Sequence, residues 1–139
     1  MNPLPGEIFL DEEFPLRSGQ TKLVYIMVVC NTPEVSDSVL IALINPFADD
    51  DVEIGPDWEW PERFVLSARN NPLNRATEVM IDDVYQARSH ALTHRCRFIG
   101  SFDTQVTAAI LRALCESPGV ARIHADSIRD IAMRLNPDH

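Results

Sequence analysis

Lysine is almost missing from this chain. Lys22 is the only one, and every other cation is an arginine. Glycine is scarce as well: five residues, none clustered. That excludes the glycine-rich loops that cradle phosphates, and no G-x-S-x-G nucleophile elbow is present. The three cysteines, Cys30, Cys96 and Cys115, are odd in number and widely spaced. Without a C-x-x-C pair they suggest neither a disulfide framework nor a cysteine zinc site, and are expected to be reduced thiols. No apolar run approaches the roughly 18 residues that span a bilayer. The opening "MNPLPGEIFLDEEF" has neither a basic start nor a long apolar stretch, so no signal peptide is expected and the expected location is cytoplasmic, away from membranes.

What is present is acid, unevenly placed. The net charge is −9. Residues 1–62 carry 13 acids and two bases, whereas residues 63–139 carry eight acids and ten bases, all arginine. An acidic first half disfavours non-specific binding to nucleic acid and suits solubility or a basic partner. At 139 residues, 45% apolar, the chain is long enough for one domain with its own core.

The hydropathy pattern is mostly that of strands. "GEIFL" alternates, with Ile8 and Leu10 on one face and Phe9 on the other. "DEEFPLRSGQT" is polar and carries Pro15 and Gly19, so it reads as a loop. Leu23 to Cys30 is an unbroken apolar run, the signature of a central strand covered on both faces. "SVLIALINPF" is a second such strand. "RFVLS" and "TEVMID" predict two short strands joined across a turn at Asn70, Asn71 and Pro72. "VYQARSHALTHR" is ambiguous between loop and short helix, and "CRFIGSF" predicts another strand. "DTQVTAAILRALCES" predicts a helix capped by Asp103, with Val106, Ala109, Ile110, Ala113 and Leu114 as its apolar stripe. A second helix is predicted from about Ala121 to Leu135, with Ile128, Ile131 and Leu135 on one face.

Strands first and helices last predict a mainly β (α+β) domain: a small barrel or strongly bent sheet of five to seven strands with C-terminal helices. One domain is expected over 1–139, with the barrel at about 5–100 and the helical tail at about 103–135.

Candidate sites are few. Asp49, Asp50 and Asp51 open a segment, 48–62, that holds seven acids and both tryptophans, Trp58 and Trp60. A surface loop or edge excursion is the expectation, and its aromatic pair suits contact with a partner protein or covers a barrel end. His90 and His94 are four apart with Cys96 nearby, but the H-E-x-x-H pattern is absent and no metal is expected. No cofactor is expected either. Lys22 heads the strongest strand; it is either the solvated end of that strand or a charged functional position.

"PGEIFLDEEFP", "SGQTKLVYIMVVCN" and "SVLIALINPF" together resemble the start of the MazF/PemK family of toxin-type endoribonucleases. "TEVMIDDVYQARSHALTHRCRFIGSFDTQVTAAILRALCES" is similar to that family's closing strands and final helix. The likeness runs in element order over roughly residues 5 to 116. It implies an SH3-like β-barrel, a homodimer, and metal-independent cleavage of single-stranded RNA by the substrate's own 2′-hydroxyl. By this resemblance Lys22 and Asn45 occupy the catalytic positions, and Arg17, Gln20 and Thr21 in the first loop contact RNA. Lys22 stands where the family has arginine, giving charge without a planar double contact. Asn45 stands near the family's hydroxyl. The alternative is a catalytically inactive barrel that meets a protein partner, antitoxin-like or basic, through the acidic segment 49–62 with Asp49, Asp50, Asp51, Trp58 and Trp60.

Overall fold

The computed structural model describes residues 3–15, 18–31, 37–46, 63–66, 71–81 and 84–135. Among these residues, seven strands and three helices follow in the order β1 (Glu7–Pro15), β2 (Thr21–Asn31), β3 (Ser38–Pro46), β4 (Arg63–Leu66), β5 (Thr77–Met80), β6 (Tyr85–Arg88), α1 (Ser89–His94), β7 (Arg97–Ser101), α2 (Thr104–Glu116) and α3 (Arg122–Leu135). This is the mainly β architecture with C-terminal helices that the hydropathy pattern predicts. The ambiguous stretch after Val84 divides into β6 and α1.

All strand pairs are antiparallel, in one open sheet of order β4-β5-β3-β2-β1-β7. β6 also pairs with β3. Thus one edge of β3 has two partners, β6 along Ser38–Ile41 and β5 along Ile44–Pro46. Register shifts fall in β1 between Asp11 and Phe14 and in β2 between Val28 and Cys30. Such bulges bend a strand and add twist. The result is a curled sheet: Phe14 of β1 meets Tyr85 of β6 edge to face at 5.9 Å, although β2 and β3 lie between those strands.

β1 is longer than its sequence suggests. "DEEFP" was expected to begin a loop, but Phe14 pairs with Lys22 and Pro15 with Thr21. The bulge reconciles the polar residues with the strand. Glu12 and Glu13 are exposed at the shift, the Glu13 N–H donates to Asp11 Oδ1 at 3.0 Å, and Phe14 is buried beyond them.

Apolar residues cover both faces. On one, Met27, Val29, Ala42, Ile44 and Val79 pack with Ile110, Leu111 and Leu114 of α2 and Ile128 of α3. On the other, Phe9, Phe14, Ile26, Val28, Val39 and Ile41 surround Leu92 of α1. Burial on both sides explains the unbroken apolar run in β2. Asp103 caps α2 as its sequence predicts, accepting from the Val106 N–H at 2.8 Å. The buried stripe of α2 is centred on Thr107, Ile110, Leu111 and Leu114, with Val106, Ala109 and Ala113 partly buried beside it. α3 buries Ala125, Ile128 and Ala132. No helix among the described residues is long and apolar enough to cross a membrane.

Candidate functional site

Side-chain alternation puts three polar residues at one end of the α1-side face. Lys22 is two residues from Val24, and Asn45 two residues from Leu43; both apolar neighbours pack on the α1-side cluster. Glu78 alternates with Val79, which packs on the helix side, so Glu78 faces the same way as Asn45. β3 and β5 pair these two residues directly, Asn45 with Glu78. There Asn45 Nδ2 donates to Glu78 Oε1 at 2.9 Å.

These residues line an open groove of about 460 Å³. Lys22, Asn45, Arg75 and Glu78 supply its polar groups, and Tyr25 and Met80 are among its apolar ones. Lys22, Asn45 and Arg75 are exposed, whereas Glu78 is only 5% exposed. Among the described residues, two cations and one carboxylate line this groove, a balance opposite in sign to the net charge of the whole chain, −9. A carboxylate only accepts, so the amide of Asn45 presents its N–H to Glu78 and turns its carbonyl oxygen away from it. Two cations beside apolar side chains suit a ligand that carries a phosphate.

Lys22 and Asn45, paired by the sequence resemblance, thus lie on one groove. Gln20 and Thr21 are exposed just before Lys22 but do not line it. Arg17 and the acidic segment with Asp49, Asp50, Asp51, Trp58 and Trp60 fall outside the described residues. Sequence reading missed Arg75 and Glu78. Glu78 is the one charged residue in the short strand "TEVM", opposite Asn45, but that signal needs the β3–β5 pairing to be known.

His90 and His94 form no comparable site. The rings of His90 and His94 stack with centroids 4.0 Å apart, and His94 Nδ1 lies 3.0 Å from the His90 carbonyl. Among the described residues no group of three or more His, Cys, Asp or Glu side chains is placed to hold a metal ion. No protein-family model matches this chain, and no curated protein matches it in sequence.

Proposed function

We propose that the groove between β2, β3 and β5 binds single-stranded RNA and cleaves it without a metal ion, as a MazF/PemK-like endoribonuclease of the cytoplasm acting as a homodimer. The observation that carries this reading is the meeting of Lys22 and Asn45, from separate strands, with Arg75 and Glu78 in one open groove.

The chemistry follows from the groups present. The 2′-hydroxyl oxygen of the substrate attacks the adjacent phosphorus and gives its proton to the Glu78 carboxylate. Negative charge grows on the phosphoryl oxygens, where Lys22 and Arg75 stabilise it. The bond from phosphorus to the 5′-oxygen breaks, and Lys22 donates a proton to that leaving oxygen. The products are a 2′,3′-cyclic phosphate and a 5′-hydroxyl, and proton exchange with water restores Glu78 and Lys22. DNA lacks the attacking hydroxyl and is not cut.

The test is incubation of the pure protein with mixed single-stranded RNA in excess chelator. Fragments ending in 2′,3′-cyclic phosphate are expected, and Lys22→Ala removes them. RNA left intact by a large excess of wild-type protein rules the activity out.

A further inference from the structure

The loop that delivers Arg75 to the groove is tied from the inside. Asn71 stands at its start and is 6% exposed. Its Nδ2 donates to the backbone carbonyl of Arg75 at 2.9 Å and to Thr77 Oγ1 at 2.7 Å. Its Oδ1 accepts from the Leu73 N–H at 2.9 Å. The Thr77 hydroxyl, fully buried, donates in turn to the same Arg75 carbonyl at 2.9 Å. Two side-chain donors therefore converge on one carbonyl oxygen, that of the residue whose side chain lines the groove.

The surroundings fix the loop from its other side. Asn74 takes a left-handed conformation, φ 58°, which turns the chain back into β5. Pro72 packs against β7 so closely that a Cβ on Gly100 would lie 3.0 Å from Pro72 Cβ. An arginine on an untied loop loses backbone and rotamer freedom when it binds a phosphate, and that loss lowers affinity. Here the backbone is ordered before any ligand arrives.

We infer that Asn71 is a positioning residue of this groove: through the Arg75 carbonyl it fixes the backbone from which the guanidinium reaches a phosphate of single-stranded RNA. The inference rests on the RNA reading above. Asn71 is buried and touches no ligand itself; its effect passes through Arg75 and is helped by Thr77. A role in loop folding alone would leave RNA affinity unlinked to Arg75, and a double-mutant cycle separates the two.

The experiment measures affinity for a 2′-O-methylated, uncleavable single-stranded RNA by fluorescence anisotropy over a salt series. Wild type, Arg75→Ala, Asn71→Ala, their combination and Thr77→Val are compared, with thermal unfolding as the control for folding. Arg75→Ala is expected to weaken binding about tenfold and to flatten the salt slope by about 0.7, the share of one phosphate contact on a single strand. Asn71→Ala reproduces most of both changes, and in the Arg75→Ala background it adds less than about twofold. Thr77→Val removes one of the two donors to the Arg75 carbonyl at nearly constant shape, and gives a smaller loss that also vanishes without Arg75. If Asn71→Ala does not fold, Thr77→Val decides the matter. Wild-type affinity and slope in the folded Asn71 and Thr77 variants, or losses that add in full to that of Arg75→Ala, overturn the inference alone. A wild type that does not bind the RNA overturns the RNA reading and this inference with it.

Discussion

Asn45 on β3 donates to the Glu78 carboxylate on β5 at 2.9 Å, across the register position that pairs the two residues. The bond holds a largely buried carboxylate in a groove whose other charged groups, among the described residues, are Lys22 and Arg75. On the proposed ribonuclease reading, Glu78→Gln keeps the shape and removes the proton acceptor. Cleavage is expected to fall by a factor of about 100, the usual worth of a general base, with affinity for uncleavable RNA nearly unchanged. Parallel loss of rate and affinity would mean that Glu78 only shapes the groove.

A second carboxylate, Asp11, is 2% exposed and accepts from Arg95 Nη2 at 2.7 Å. Partial burial pulls the Arg95 guanidinium pKa down, but the Asp11 hydrogen bond and charge outweigh it and the net direction is up. Arg95→Ala leaves Asp11 buried without this partner. Because Arg95 is itself half-exposed, the expected cost is about 1 to 2 kcal/mol rather than that of a fully buried pair. Urea denaturation measures it; an unchanged midpoint would show that the pair adds nothing to stability.

Burial pushes the Cys30 thiol from 9.0 up to about 11. In the unfolded chain this thiol ionises near its ordinary value, whereas in the native protein it keeps its proton. Between those two values the native state binds more protons than the unfolded state, so stability falls as pH rises. The loss reaches up to about 3 kcal/mol at the alkaline end. Urea midpoints followed through that range are expected to drop more steeply for wild type than for Cys30→Ala. Equal slopes would remove Cys30 as the cause.

Gly6 precedes β1 at φ 91°, a conformation that side chains rarely adopt, and a Cβ there would run into Thr107 Oγ1 of α2. Its N–H donates to the Val28 carbonyl at 2.9 Å and its carbonyl accepts from the Phe102 N–H at 3.0 Å. This one residue thus ties β1 to β2 and to the start of α2 without room for a side chain. Gly6→Ala is expected to cost at least about 2 kcal/mol from backbone strain and overlap together. Adding Thr107→Ala relieves the overlap only, so chemical denaturation of the double variant should show partial recovery relative to Thr107→Ala alone. Full tolerance of Gly6→Ala would contradict the close packing of α2 on this turn.

The two long helices and the strands other than β6 and the far half of β1 were legible because their apolar periodicity is strong; "YQAR" left only a choice between loop and short helix, yet forms β6. β2 and β3 read as central strands from apolar residues on both faces, and Asp103 marked the start of α2. The far half of β1 was not legible: "DEEFP" is polar and ends in proline, and only the bulge that exposes Glu12 and Glu13 makes it a strand. At the groove, Lys22 could be singled out because it heads an apolar strand, and Asn45 only through the family resemblance. Arg75 and Glu78 could not. Their place depends on β5 crossing to pair with β3, a long-range fact that leaves no local mark in the sequence, and on a loop whose ties from Asn71 and Thr77 are local but carry no distinctive motif.

Nuclear magnetic resonance on isotope-labelled protein, titrated with uncleavable single-stranded RNA, tests the central claim most directly. Saturable shifts are expected at the Asn45 side-chain amide and at the backbone amides of Lys22, Tyr25 and Arg75, with little change on the outer face of α3. Shifts absent from this groove, or concentrated elsewhere on the molecule, would contradict it.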